Sequence, residues 1–273
     1  MTLVVIGPVT EDLVIIGTDE SRKVGGATYF QSFVFEKFFS DYLAIINCAD
    51  EDIVNDFPNP HKVKVIKKES THFFINRYPF KDNLDIRQQL SNFADIPILP
   101  SDLESVLPDK IDGFVINPLN RYDFPTDTLE FLKSFDVPVF VSVQGFLRVK
   151  GNKVNENYAL KLSNFDKLNS VLSDVNAVFL DEGEESIIGS DYDVDEIVIT
   201  NGSHGSRIIS SSEIKIDPVA CDEVVDTTGC GDTYMAAYVS QRLKLKSPEE
   251  AGKFASKIAS DKIADNGPYM HNR

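Results

Sequence analysis

The feature that most limits what this chain can fold into is a series of short, β-branched apolar runs alternating with helix-like stretches. Thr2 to Ile6, Leu13 to Ile16, Tyr42 to Ile46, Gly113 to Ile116, Val137 to Val141, Ala177 to Leu180 and Glu196 to Thr200 are compact runs rich in Val, Ile and Phe. Residues 27–39, 126–135, 164–173 and 183–188 lie between several of them and read as helices packed on a sheet. Strands apolar on both faces, alternating with helices, are the pattern of a parallel sheet covered on both sides. The expected fold is α/β and three-layer, a mostly parallel central sheet with helices on both faces.

Two segments break this rhythm. Residues 61–78 (HKVKVIKKESTHFFINRY) alternate polar and apolar around Glu69-Ser70, which predicts a half-exposed antiparallel hairpin. Strands within 13–24 and 61–90 are expected to form a small β lid. The register leaves two faces open for it, Phe73 with Ile75 or Phe74 with Asn76. Phe146 to Val154, with Gly151-Asn152 at its tip, reads as a second hairpin. No internal repeat or long linker interrupts the chain, so residues 1–273 are expected to form a single domain.

Charge narrows the partners. With 43 acidic against 27 basic residues, the formal net charge is −16. Such a surface repels nucleic acid and anionic lipid at long range, and neither is an expected partner. An anionic substrate would need a local electropositive site. Cys48, Cys221 and Cys230 include no C-x-x-C pair, which suits a reducing cytoplasm. The opening residues carry Glu11 and Asp12 and lack a basic leader, and no apolar run approaches the roughly 20 residues needed to cross a bilayer. A cytoplasmic location is expected.

The chemistry concentrates near the end of the chain, in Val225-Asp226-Thr227-Thr228-Gly229-Cys230-Gly231-Asp232-Thr233. A Gly-x-Gly turn entering a helix presents backbone N–H groups at the positive end of the helix dipole, a ready anion site. A carboxylate in that first turn, Asp232, stands where it can accept a proton from an attacking hydroxyl. Other chemistries lack their signatures. There is no Gly-x-x-x-x-Gly-Lys-Ser/Thr loop, no His-Glu-x-x-His and no Gly-x-Ser-x-Gly elbow. Gly7-Pro8-Val9 after the first strand lacks the further glycines of a dinucleotide fingerprint.

Asp226-Thr227-Thr228-Gly229-Cys230-Gly231-Asp232 resembles the C-terminal signature of the ribokinase family, the phosphofructokinase B type of carbohydrate kinases, with Cys230 replacing the usual small residue. Gly7, Asp12 and Gly25-Gly26, in order, resemble the family's amino-terminal element. The resemblance implies a kinase with Asp232 as general base and the N–H groups of Gly229, Cys230 and Gly231 as the anion hole. It implies acceptor contacts from Asp12, Gly25, Gly26, Gln144 and Arg148, where Gln144 takes a place often held by Asp. Thr28 to Gln31 lack the family's Asn, so a hydroxyl contact is expected to be missing. Nucleotide contacts are implied for Asp181, Thr200, Gly202, Gly205 and Asn266, and a water-mediated Mg²⁺ for Glu184.

ATP or another nucleoside triphosphate is the implied donor. The look of residues 25–30, 144–148 and 198–202 is similar to the myo-inositol kinase-like branch, so a small polyol or sugar is the leading acceptor. Phe73, Phe74 and Tyr78 keep a nucleoside acceptor open, since each could stack on a base. A non-catalytic regulator on the same fold is the alternative of another class. An exposed lid sheet also leaves a homodimer through the lid open.

Overall fold

The computed structural model describes residues 2–79 and 88–270. The chain begins with β1 (Leu3–Ile6), β2 (Thr10–Ile16), β3 (Asp19–Gly25), α1 (Ala27–Phe38), β4 (Tyr42–Cys48), β5 (Val63–Lys67), β6 (His72–Tyr78) and β7 (Gln88–Ser91). It continues through α2 (Pro100–Glu104), β8 (Gly113–Ile116), α3 (Thr126–Lys133), β9 (Val139–Ser142), α4 (Gln144–Leu147), β10 (Arg148–Val154) and β11 (Asn157–Leu162). The last third holds α5 (Leu168–Leu172), β12 (Ala177–Asp181), α6 (Glu182–Ile188), β13 (Glu196–Thr200), β14 (Ser206–Ile209), β15 (Glu213–Ile216), α7 (Cys230–Arg242) and α8 (Pro248–Ile263).

The strands form two sheets. The larger runs β15-β14-β13-β12-β9-β8-β1-β4-β5 and is parallel from β13 to β5, with β14 and β15 antiparallel at one edge. Its strands feed alternate residues to opposite faces, as a pleated strand must. Leu3 and Val5 join one apolar cluster with Phe35 of α1, Tyr238 of α7 and Ala255 of α8. Val4 and Ile6 join a second cluster with Leu129 and Leu132 of α3 and Val171 of α5. The two clusters fill the spaces above and below one sheet, which gives the three layers expected. Each fully buried Val or Ile side chain contributes roughly 1.5–3 kcal/mol, so the paired clusters are the main stabilising term.

The smaller sheet runs β10-β11-β7-β6-β2-β3. Its β2 and β6 are parallel neighbours, with Asp12 opposite Phe74. Three expectations change here. Residues 61–78 are not a hairpin: β5 pairs in parallel with β4 in the large sheet, and only β6 joins the lid. The alternation that suggested a hairpin comes from two strands of different sheets, β5 at the edge of one with Ile66 buried beneath it and β6 between β7 and β2 in the other. Gly151-Asn152 is not a hairpin tip either. β10 and β11 turn at 155–156, where Asn155 adopts a positive φ of 55°, and the register shifts between Lys150 and Lys153. The glycine marks a bulge because a Cβ there would lie 2.8 Å from the Ala159 carbonyl oxygen. The helix expected over 164–173 shortens to α5. Residues 80–87 of the expected lid region lie outside the described residues.

Candidate active site

The expected residues gather at the carboxyl ends of the parallel strands and beneath the lid, the usual place for a ligand in an open α/β sheet. Gly229 is the N-cap of α7 and takes the left-handed conformation, φ 72° and ψ 12°. A Cβ there would lie 2.4 Å from the Phe30 ring, so both backbone and packing require glycine. The first long-range turn bond of the helix runs from the Thr233 N–H to the Gly229 carbonyl, at 2.8 Å. The preceding N–H groups are those a helix start leaves for an outside partner. At Gly231 a Cβ would meet nothing within 4 Å, so this turn faces open space. One expected donor is otherwise engaged. The Cys230 N–H donates to the Thr227 carbonyl at 3.1 Å, because the left-handed Gly229 folds the chain back on itself.

Asp232 lies in the first turn of α7, half-buried, with its pKa pushed up to about 6. Desolvation drives the rise, and the Arg148 and Lys262 cations oppose it. Arg148, first residue of β10, is 8% exposed, and its guanidinium lies 5.8 Å from the Phe74 ring centroid. Half-exposed Gln144 is four residues before the start of β10, in the short α4.

Glu184 is 5% exposed, and its pKa rises to about 7, chiefly through desolvation and then the neighbouring Asp181. Arg148 opposes that rise, while Asp232 adds to it. Asp181 and Glu184 form a capping box at α6: each side chain accepts the other's backbone N–H, at 2.7 and 3.0 Å. Asp181 is thus a helix cap as well as a candidate nucleotide contact. No group of three or more His, Cys, Asp or Glu side chains among the described residues is arranged to hold a metal ion. A single carboxylate beside a phosphate site still fits Mg²⁺, which keeps several waters and shares phosphate oxygens.

On the lid side, Asp12 accepts from Thr10 Oγ1 at 2.7 Å and from Asn76 Nδ2 at 3.4 Å. Asn76 in turn accepts from Gln89 Nε2 at 2.7 Å. Phe74 and Asn76 share the face of Asp12, but Asn76 and Phe73, from opposite faces of β6, line the cavity below the lid, so neither expected pair faces it whole. A Cβ on Gly25 would lie 2.7 Å from the Asp12 carboxylate, and one on Gly26, at φ 97°, 2.6 Å from the Pro8 carbonyl oxygen. The glycine pair lets three strands' ends converge. Gln31, where the family's Asn was missed, is fully buried and exchanges two amide bonds with Asn117, at 2.8 and 2.9 Å. It belongs to the buried core.

A cavity of about 510 Å³ opens between the lid and the 225–228 loop. Asp12, Asn76, Tyr29, Phe30, Thr228 and Asn266 are among its walls. Asp232 and Arg148 do not line it, and neither do Thr200, Gly202 or Gly205. Those three residues sit at the end of β13 and in the turn that follows, where Gly205 at φ 89° would put a Cβ 2.2 Å from the Ile216 carbonyl oxygen. Asn266 therefore stands on the lid-side cavity, apart from the other nucleotide candidates. Sequence reading missed Lys262, which is 1% exposed. Its signal was present: Ala251, Ala255, Ile258, Ala259 and Lys262 fall at helical spacing on one buried stripe of α8.

The layers, the strand order and the glycine-rich start of α7 define a protein of the ribokinase-like α/β fold. Residues 151–271 match the family model described as pfkB family carbohydrate kinase. A pyrophosphate-dependent kinase of the ribokinase family, complexed with a pyrophosphate analog and myo-inositol, superposes with TM-score 0.83 at 22% identity, over 98% of this chain and 97% of that one. The nucleoside kinase of Burkholderia thailandensis in complex with inosine superposes with TM-score 0.74 at 17% identity, covering 98% and 92%. In sequence, a stretch of 71 residues is 41% identical to a nucleoside kinase of Methanothermobacter thermautotrophicus. A stretch of 146 residues is 28% identical to a ribokinase of Arabidopsis thaliana. These stretches are 26% and 52% of this chain, and span only 23% and 38% of those relatives' lengths.

Proposed function

We propose that this chain transfers the terminal phosphoryl of ATP, or of another nucleoside triphosphate, to a hydroxyl of a small polyol or sugar, with myo-inositol as the leading acceptor. The observation that carries the reading is the first turn of α7, where a carboxylate with a pKa near 6 stands beside a glycine-built anion site between two cations. A base of that strength is ionised at neutral pH and still takes a proton readily.

In this reading Asp12 and Asn76 grip acceptor hydroxyls, and Gly25 and Gly26 let the acceptor approach the backbone. The acceptor oxygen attacks the terminal phosphorus while its proton passes to Asp232. The bond to the leaving phosphate breaks, and that group keeps the electron pair. Charge growing on the transferred oxygens is met by the N–H groups of Gly229 and Gly231 and by Arg148. Mg²⁺, when bound near Glu184 through water, supplies further neutralisation of phosphate charge. Asp181, Thr200, Gly202 and Gly205 are the proposed nucleotide contacts.

A nucleoside acceptor is the second reading. It is favoured by the aromatic walls of the cavity (Tyr29, Phe30, Phe73 and Tyr78) and by the 41% identical stretch of a nucleoside kinase. The test is donor consumption with Mg²⁺ over a panel of myo-inositol, ribose, other sugars and nucleosides. ATP and pyrophosphate serve as alternative donors, because the ribokinase-family neighbour crystallised with myo-inositol is pyrophosphate-dependent. Asp232→Asn runs beside the native chain. Turnover of one acceptor that the variant loses by about 10²- to 10⁴-fold supports the kinase and the base together. Tight acceptor binding to both proteins without turnover sinks the kinase reading and leaves a regulator.

A further inference from the structure

Lysine is almost never fully buried unless something offsets its charge. Lys262 is 1% exposed, at the carboxyl-terminal end of α8. Its ammonium donates to the Asp226 carbonyl at 2.6 Å, and it lies 6.0 Å from the centroid of the Phe30 ring. The ring is the same one that packs against Gly229. The Asp226 carboxylate is already spoken for by two backbone N–H groups, Thr228 at 2.9 Å and Gly267 at 3.0 Å, with Lys23 at 3.8 Å. The loop is further tied to α8 where the Val225 and Asp226 N–H groups reach the Ile263 carbonyl.

We propose that Lys262 is a positioning residue for the phosphoryl site, a built-in cation that holds the 226–229 loop in its anion-binding shape and lends its charge to the bound phosphate. The inference rests on reading the start of α7 as that site. A single bond to a carbonyl leaves most of an ammonium's three-donor capacity unused, so hydrogen bonding alone is a poor reason to bury it. Its field provides one: it acts on Asp226, on Cys230 and on Asp232, the three side chains that bracket the turn. In a chain of net charge −16, a fixed local cation is what an anionic donor requires. A mere tie between loop and helix would be served as well by an uncharged donor such as glutamine.

The test is pyrophosphate binding by calorimetry, a readout that needs no turnover, on the full chain and on Lys262→Met, Lys262→Arg, Lys262→Gln and Lys262→Ala. The expected result is affinity at least tenfold weaker for the Met and Gln variants, with unchanged melting temperature and acceptor affinity, and within threefold of native for Arg. Propylammonium, which replaces the atoms lost in Lys262→Ala, is expected to restore binding to that variant, and kcat with it. Affinity within threefold of native in Lys262→Met overturns the proposal. So does an Ala variant that folds yet gains nothing from propylammonium. Should the Met variant fail to fold, equal affinities of the Arg and Gln variants overturn it instead. A native chain that binds pyrophosphate but phosphorylates no acceptor refutes the kinase and leaves Lys262 standing; one that binds no pyrophosphate yet turns over ATP refutes the role of Lys262 and leaves the kinase standing.

Discussion

At the scale of single residues, the site is a contest between burial and charge. Asp232 is held near pKa 6 because desolvation outweighs two nearby cations. An acid whose folded pKa lies above its unfolded value near 3.9 binds extra protons in the folded state. It therefore costs stability as pH rises from about 4 to about 6, and that cost persists above. Asp232→Asn is expected to melt higher than the native chain at pH 8, with the difference vanishing at pH 4, while activity is lost at every pH. Thermal melts at the two pH values check the sign; a lower melting point for the variant at pH 8 would contradict it. In the active native chain, kcat is expected to fall below pH 6 as this base protonates, and a pH–rate profile reads it.

At the scale of elements, the turn into α7 separates two glycines that look alike in sequence. Gly229 needs its positive φ and its room beside Phe30, so Gly229→Ala is expected to cost about 1–3 kcal/mol of stability, measured by denaturant unfolding. Gly231 sits in helix with open space at its Cβ position. Gly231→Ala is expected to gain up to about 1 kcal/mol and to lose activity, since the methyl enters the space a phosphate would use. Across the lid, Asn76→Ala removes bonds to Asp12 and Gln89 and is expected to raise the acceptor KM about tenfold with little change in kcat.

Elements also show where sequence was legible. The parallel strands and the start of α7 were readable because each is a local pattern: a β-branched run, or glycines before a helix. The lid was not, because alternation in 61–78 is the same whether the strands pair with each other or with β4 and β2. Gln31 and Asn117 satisfy each other across 86 residues, and Lys262 hides on an apolar stripe. Pairings of that separation leave no local trace.

At the scale of the whole molecule, the acidic surface and the cationic site work against each other. A phosphate donor approaching from solvent meets a net repulsion that falls off over about 8 Å at physiological salt. Raising ionic strength from low values to about that level is expected to increase kcat/KM for the anionic donor about two- to threefold and to leave a neutral acceptor's unchanged. Steady-state kinetics over a salt series reads both.

The order of strands in the lid carries a consequence for biogenesis. Its six strands come from residues 10–25, 72–91 and 148–162, so its hydrogen bonds join points far apart along the chain. Closing such long loops is entropically costly until other contacts have brought their ends together. A chain still leaving the ribosome has no partner for the outer edge of β7 until β11 emerges. Until then the outer edge of β7 presents unpaired backbone to any neighbouring nascent chain, and crowded polysomes are where this protein is most exposed to strand exchange and aggregation.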